Sequence, residues 1–237
     1  MIKITKDKLM TTKKTKHSEI IIDLIKNKAA VSDALYQLKL LIFDLNDKSI
    51  INWINSELEG YKDGDNIPPY RNLRSPLYGE IQYYGGGSLI NRRIQIPVKT
   101  KHLNLLKYKM KDNISVIEKW AKEDSSDKKM PFDIRLATHI ADMNLSEGCQ
   151  IMGAWLPIAS ASFSEITNSV KNKILDILME LENKYGNLDG YTIDFKDKKD
   201  KDATSRTIIN IIYNDNSIKV GDKNKIDGSI LGDNNAH

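Results

Sequence analysis

The sequence predicts an α+β fold with an N-terminal bundle of short helices, a small antiparallel β element, one long amphipathic helix and a C-terminal β-repeat-like tail. Three observations indicate this. Apolar residues recur at helical spacing up to residue 60, alternate around a glycine triplet at 85–87, and return to helical spacing over a long stretch that ends near residue 186. The composition, 40% hydrophobic and 29% charged over 237 residues, is typical of a chain that buries a core.

Three short helices are predicted in the first 60 residues. Ser18 begins the first helix, and Ser32 and Asp47 are candidate N-caps of the second and third. Gly60 follows the third helix as its C-terminal stop. Because only short breaks separate them, we expect the three helices to pack as a small antiparallel bundle.

The pattern then changes to strands. Residues 76–84 and 89–98 alternate around Gly85–Gly87, which indicates a β-hairpin. The segment Cys149–Ile158 is apolar enough for a buried strand, and we expect it to join the hairpin. The sequence therefore predicts a small antiparallel sheet in the middle of the chain.

Helical spacing occurs in three further stretches. One pattern runs from Thr100 to Trp120, and a shorter one covers residues 133–143. The longest predicted helix has Ser164 as its N-cap and ends at Gly186. Its apolar residues share one face, so we expect it to pack across the other elements.

Charge and composition divide the chain into four parts. Residues 1–17 form a basic arm, 18–195 a globular domain and 196–206 a charged linker. Residues 207–237 form a β-prone tail in which Ile and Val alternate with Asn, Asp and Gly. Such a short segment buries little apolar surface alone, so we expect it to stack with other copies and form a homo-oligomer. Docking on its own domain and disorder are the alternatives.

Several function classes lack their sequence signals. No apolar run is long enough to span a membrane, so we expect a cytoplasmic protein with no membrane partner. The single cysteine, Cys149, excludes an internal disulfide and a multi-cysteine metal site. The four histidines are far apart in sequence, and no nucleotide-binding or hydrolase motif is present. We therefore predict no metal and no cofactor.

The most informative segment runs from Trp53 to Arg71. Trp53 and Glu57 lie one turn apart on a predicted helix, and Arg71 or Arg74 is placed to return over the helix end and form a bidentate pair with Glu57. Two interpretations stay open. In one, the pair stabilises a structural corner of packed aromatic side chains. In the other, Glu57 and Arg71 face a ligand.

Three segments here carry a resemblance to a known family: S-E-I-I-I-D-L, W-I-N-S-E-L-E-G-Y and P-P-Y-R. They resemble the AbiTii domain of bacterial abortive-infection, anti-phage proteins, and the resemblance covers about residues 18–186. It implies a role in phage defence, in which an infected cell stops growing before phage matures, and it implies no catalytic residue set. The motif residues are Trp53, Glu57, Leu58, Gly60, Tyr61, Pro69, Tyr70 and Arg71.

Three molecular functions stay open at this point. The first is self-assembly through the tail, or binding of a phage or host protein that acts as trigger. The second is nucleic-acid binding, and the third is a cryptic toxin enzyme, such as a nuclease, with Glu57 and Arg71 at its site. The residues predicted to contact nucleic acid are Lys13, Lys14, Lys16, Arg71, Arg74, Arg92 and Arg93.

Overall fold

The computed structural model describes residues 17–85, 87–123, 127–142 and 149–213. The predicted α+β class is confirmed, because helices and an antiparallel sheet share one hydrophobic core in this part of the chain. No helix within these ranges combines the length and apolarity needed to cross a bilayer. The α-helices are α1 (Glu19–Ile25), α2 (Val31–Leu41), α3 (Lys48–Glu59), α4 (Ile114–Lys122), α5 (Ile134–Ile140), α6 (Ser160–Tyr185) and α7 (Lys198–Tyr213).

The three predicted N-terminal helices are α1, α2 and α3. Asp47 caps α3 as expected, since its carboxylate accepts hydrogen bonds from the backbone N–H groups of Ser49 and Ile50. The start of α2 differs from the prediction, because Ser32 lies inside the helix. There the Glu118 carboxylate, from α4, accepts the Val31 N–H at 2.8 Å, so a side chain distant in sequence serves the helix end.

The strands are β1 (Asn72–Arg74), β2 (Tyr78–Gly85), β3 (Ser88–Gln95), β4 (Lys107–Lys109), β5 (Lys128–Pro131) and β6 (Cys149–Ile158). Four of them form one antiparallel sheet in the order β3-β2-β6-β5, and β1 pairs separately with β4. The predicted hairpin is β2 and β3. The predicted strand at residues 149–158 is β6, which joins the hairpin as expected by pairing with β2.

The continuous helical pattern predicted from residue 100 to 120 is interrupted. Thr100–Leu106 is a 3-10 helix, β4 follows it, and α4 begins only at Ile114. The chain leaves the helical path because β4 pairs with β1. Asn113 then starts α4 by accepting a hydrogen bond from the Val116 N–H at 3.0 Å.

The long helix α6 is the centre of the helical layer. It begins at Ser160, four residues before the predicted N-cap Ser164, and it ends at Gly186 as predicted. It contacts α1, α2, α4 and α7. Its buried side chains are Phe163, Ile166, Val170, Ile174, Ile177, Leu178 and Leu181.

The structure differs from the prediction in residues 198–213. The predicted charged linker and the first residues of the predicted β-prone tail form one helix, α7, which contacts α3 and α6. Ile208 and Ile212 lie four residues apart, so they share one helical face and are buried. A run of isoleucines fits both helical and strand periods, and burial against α6 decides between them. The described residues contain no β-repeat, and residues 214–237 and the arm up to residue 16 lie outside them.

Candidate functional site

The predicted pair between Glu57 and Arg71 forms at the end of α3. Arg71 donates from Nη2 to Glu57 Oε2 at 2.5 Å and from Nε to Glu57 Oε1 at 3.1 Å, which makes the pair bidentate. Both side chains have 0% exposure. We name this group, with Trp53, Tyr61 and Tyr70, the Glu57–Arg71 corner.

Aromatic side chains supply further hydrogen bonds to the same carboxylate. The hydroxyls of Tyr61 and Tyr70 donate to Glu57 Oε1 at 2.6 and 2.7 Å. Trp53 Nε1 donates to the Tyr70 hydroxyl at 3.0 Å, so the indole reaches Glu57 through Tyr70. Five of the motif residues therefore form one connected hydrogen-bond network: Trp53, Glu57, Tyr61, Tyr70 and Arg71.

Arg71 also joins this corner to the chain that leads into α4. Its Nη1 donates to the backbone oxygens of Met110 and Asp112 at 3.1 and 2.7 Å. The Tyr61 ring lies under the guanidinium, 4.8 Å from its carbon to the ring centroid. Across the described part of the chain, no buried side-chain nitrogen or oxygen lacks a hydrogen-bond partner. Each buried polar side-chain atom of the corner thus has a hydrogen-bond partner within the protein.

Only glycine fits at position 60, because the backbone of Lys111 comes close to it. The φ of Gly60 is +94°, a region that favours glycine, and a Cβ at this position would lie 2.9 Å from the backbone oxygen of Lys111. That oxygen accepts the N–H of Tyr61 at 2.8 Å. The remaining motif residues have simpler positions: Leu58 packs half-buried on the core, and Pro69 begins the 3-10 turn Pro69–Arg71.

Burial and the Glu57 carboxylate fix the charge state of the corner. Burial raises the pKa of Tyr61 and of Tyr70, and the Glu57 charge raises both further. Burial lowers the pKa of Arg71, but the Glu57 carboxylate outweighs this and leaves that pKa above its ordinary value. The hydroxyls therefore remain donors and the guanidinium remains charged around neutral pH, whereas a general acid or base needs a pKa close to it.

A cleft of about 330 Å³ lies on the outer side of the corner. The rings of Trp53 and Tyr61 form part of its wall, and Ile209 and Tyr213 of α7 form another part. Sequence reasoning missed the contribution of α7, because it treated that segment as linker and tail. The polar atoms of Glu57 and Arg71 face each other rather than this cleft.

The residues predicted to contact nucleic acid separate into different places. Arg71 is buried in the corner, so in this fold it cannot reach a nucleic acid, and that part of the prediction is wrong. Arg74, Arg92 and Arg93 are exposed. Arg92 and Arg93 are neighbours on β3, so they point to opposite faces of the sheet. Lys13, Lys14 and Lys16 lie outside the described residues.

Arg93 lies on a sheet face that carries aromatic and basic side chains, which we name the outer sheet face and define by Tyr78, Arg93, Lys129 and Trp155. Tyr78 on β2 is directly opposite Trp155 on β6. Lys129 on β5 places its Nζ 4.9 Å from the centroid of the Trp155 ring. Sequence reasoning did not connect these residues, because strand pairing brings them together from distant segments.

A cavity of about 590 Å³ opens on the outer sheet face. Its lining includes all four residues of that face together with Arg74, which follows the corner by three positions. A cavity of this size is typical of sites for small molecules or single units of a polymer.

The family model described as AbiTii matches residues 17–207, which is most of the chain. The chain belongs to the AbiTii family. Searches of curated proteins and of solved structures find no match.

The AbiTii match begins just before α1 and ends within α7, so it includes the whole Glu57–Arg71 corner and the sheet. The resemblance inferred from the motif segments is therefore confirmed. Membership of this family indicates an abortive-infection defence protein. The match extends to residue 207, beyond the end of α6, which agrees with α7 being part of the folded domain.

Two histidines that are distant in sequence meet in the structure. The ring centroids of His102 and His139 are 5.6 Å apart. Burial and the nearby charge of Lys101 lower the pKa of His102, and His139 adds to this. Within the described ranges, however, no three or more His, Cys, Asp or Glu side chains gather in an arrangement able to hold a metal ion.

Proposed function

We propose that this AbiTii-family protein acts in abortive-infection defence against phage through self-assembly or through binding of a phage or host protein. Family membership supports the defence role. A hydrophobic stripe on the surface of α2 supports the molecular part, and it is the observation that carries the proposal.

The α2 stripe consists of Tyr36, Leu40 and Phe43, which are 59%, 57% and 73% exposed. Spacings of four and three residues place them along one side of α2 and the turn after it. The opposite side of α2 is buried in the core, so the stripe is a second apolar face. Adjacent exposed apolar side chains of this kind mark surfaces that bind proteins.

The stripe can be tested by charge insertion. We expect Leu40→Glu to lose protection in a phage plaque assay, because a carboxylate cannot be buried unpaired in a protein interface. Met179→Glu is the matched control, since Met179 is 54% exposed and lies on α6. Light scattering on the purified full-length proteins then separates the two modes. A smaller particle for Leu40→Glu alone indicates self-assembly, and equal particles with lost protection indicate a separate partner. Protection retained by Leu40→Glu contradicts the role of the stripe.

Self-assembly through the C-terminal tail is a further part of this proposal and needs its own test. The comparison is between the full chain and a chain that ends at Tyr213, measured by light scattering. A chain that ends near Lys196 is unsuitable, because it removes α7 and its buried residues Ile208 and Ile212. An equal number of protomers per particle for the full chain and the chain ending at Tyr213 excludes the tail as the assembling element.

For the Glu57–Arg71 corner we propose a structural role rather than catalysis. Both oxygens of Glu57 are occupied by Arg71, Tyr61 and Tyr70, and Glu57 is inaccessible to a substrate. We therefore expect Glu57→Gln to retain defence in every preparation that is folded by circular dichroism. A folded Glu57→Gln protein without defence favours the enzyme alternative instead.

A further inference from the structure

We propose that the outer sheet face binds single-stranded nucleic acid, with a base against Trp155 and Tyr78 and the phosphates on Arg74, Arg93 and Lys129. This site is separate from the α2 stripe, and it goes beyond the assembly function proposed above. It differs from the residues predicted from sequence, because it excludes Arg71 and Arg92 and adds a pair of aromatic rings.

The aromatic part of the site is fixed by strand register. Tyr78 and Trp155 are directly opposite each other on neighbouring strands, so their side chains project from the same face. Trp155 is only half-buried, and its ring lines the cavity. Adjacent aromatic side chains on an exposed sheet face are a platform on which unpaired bases stack.

The charges around this platform favour an anion. Arg74, Arg93 and Lys129 are exposed and line the cavity, with Asp127 as the opposing charge there. Arg93 is held only loosely by Glu80, at 3.9 Å between Nε and Oε2, and both side chains are exposed to solvent. The cations therefore remain available for phosphate groups.

Lys129 places its ammonium group over the ring of Trp155. Its ammonium lies 4.9 Å from the Trp155 centroid, and both residues line the cavity. Lys129 is exposed, so its side chain can move from the ring to a phosphate when a base takes its place. The N-terminus of α6 also borders the cavity, through the N-cap residue Ala159 and through Ser162 of the first turn, and the positive end of the helix dipole adds to the attraction.

A single strand fits these features better than a duplex. Bases in a duplex are stacked on one another and cannot lie flat on a protein ring, whereas a single strand exposes each base. A cavity of about 590 Å³ has room for one nucleotide, with the neighbouring phosphates on the surrounding cations.

The test compares two neighbouring arginines in the full-length protein. Fluorescence anisotropy is measured with labelled oligo-dT, oligo-U and a duplex of the same length, at ~50 mM salt. We expect Arg93→Glu to weaken single-strand binding by about tenfold. Arg92→Glu makes the same charge change one residue away, on the other face of the sheet, where Arg92 is the cross-strand partner of Ile81. We expect this variant to keep its affinity within about twofold.

Stacking is tested by Trp155→Leu, with Trp155→Phe as the conservative variant and thermal unfolding as the check on folding. We expect Trp155→Leu to lose about tenfold in affinity and Trp155→Phe to retain most of it. Comparing oligo-dT with oligo-U shows whether the site prefers DNA or RNA. Four outcomes would each overturn the proposal. Two are equal losses for Arg92→Glu and Arg93→Glu, and binding only through the basic arm. The other two are tighter binding of the duplex than of the single strands, and binding of an acidic peptide but of no oligonucleotide.

Discussion

The Glu57–Arg71 corner and the outer sheet face use the same kinds of residue in opposite surroundings. The corner combines Trp53 with Arg71 in the interior, and the sheet face combines Trp155 with Arg93 at the surface. In the corner every buried side-chain nitrogen and oxygen has a hydrogen-bond partner within the protein. On the sheet face exposed cations line an open cavity.

This difference indicates that burial, rather than residue type, decides whether a tryptophan and an arginine are accessible to a ligand. A buried ion pair is costly to break, since the remaining partner keeps its charge without solvent. An exposed arginine costs little to hold and remains available to a ligand. The comparison gives predictions that start with the corner, where the largest effects are expected.

The largest expected effect is that of Arg71→Met. It leaves the Glu57 carboxylate buried without its cation and removes two hydrogen bonds to backbone oxygens, so we expect a loss of about 5 kcal/mol in the free energy of unfolding. Urea denaturation measures this. Arg74→Met is the matched control, because Arg74 is exposed and should change stability by less than about 0.5 kcal/mol. Similar values for the two variants would contradict the structural role of the corner.

The two tryptophans give the second prediction. Trp53 is 3% exposed and donates to Tyr70, so Trp53→Ala should lower the free energy of unfolding by about 3–4 kcal/mol. Trp155 is half-buried at the surface, and we expect Trp155→Ala to cost about 1 kcal/mol. The same urea measurement tests both, and an equal cost at the two positions would mean that the outer sheet face is part of the core.

Glu182 is partly buried, and its substitution is expected to give the smallest effect. Burial raises its pKa, but hydrogen bonds from Ser18 and His17 lower it by more, so the folded-state pKa is below the ordinary value of 4.5. A lowered carboxylate pKa stabilises the fold above pH 4.5 and loses this contribution as the pH falls through the folded-state value. Glu182→Gln should therefore cost under about 1 kcal/mol at pH 7 and progressively less below pH 4.5. If the loss of stability caused by Glu182→Gln grew as the pH fell, the result would contradict a lowered pKa of Glu182 in the folded state.

Local patterns were sufficient to predict the hairpin and a pair between Glu57 and an arginine at position 71 or 74, and the structure has Arg71 in that pair. Helical spacing places Trp53 and Glu57 on one face, and only 14 residues separate Glu57 from Arg71, so few arrangements bring the chain back. The hairpin follows from alternation around its glycines. These features depend on residues that are close in sequence.

Features that depend on distant residues could not be predicted in this way. The Glu118 carboxylate at the start of α2 is 87 residues from Val31, and no local signal connects them. The sequence predicts that β6 joins the hairpin, but the register of β6 on β2, which places Tyr78 opposite Trp155, is set by tertiary packing. The sequence predicts a linker and a tail for residues 198–213, because the surfaces of α3 and α6 on which α7 packs exist only in the folded protein.

The contacts of Arg71 with Met110 and Asp112 have a consequence for biosynthesis. These acceptors lie 39 and 41 residues after Arg71. In a nascent chain that has not yet reached Met110, the Arg71 guanidinium therefore lacks two of its backbone acceptors. Loop closure is fast compared with the addition of residues by the ribosome, so synthesis of this segment sets the delay. The first three helices accordingly depend on a later segment of the chain for their final stability. They reach that stability only after the segment that contains Met110 and Asp112 has been synthesised.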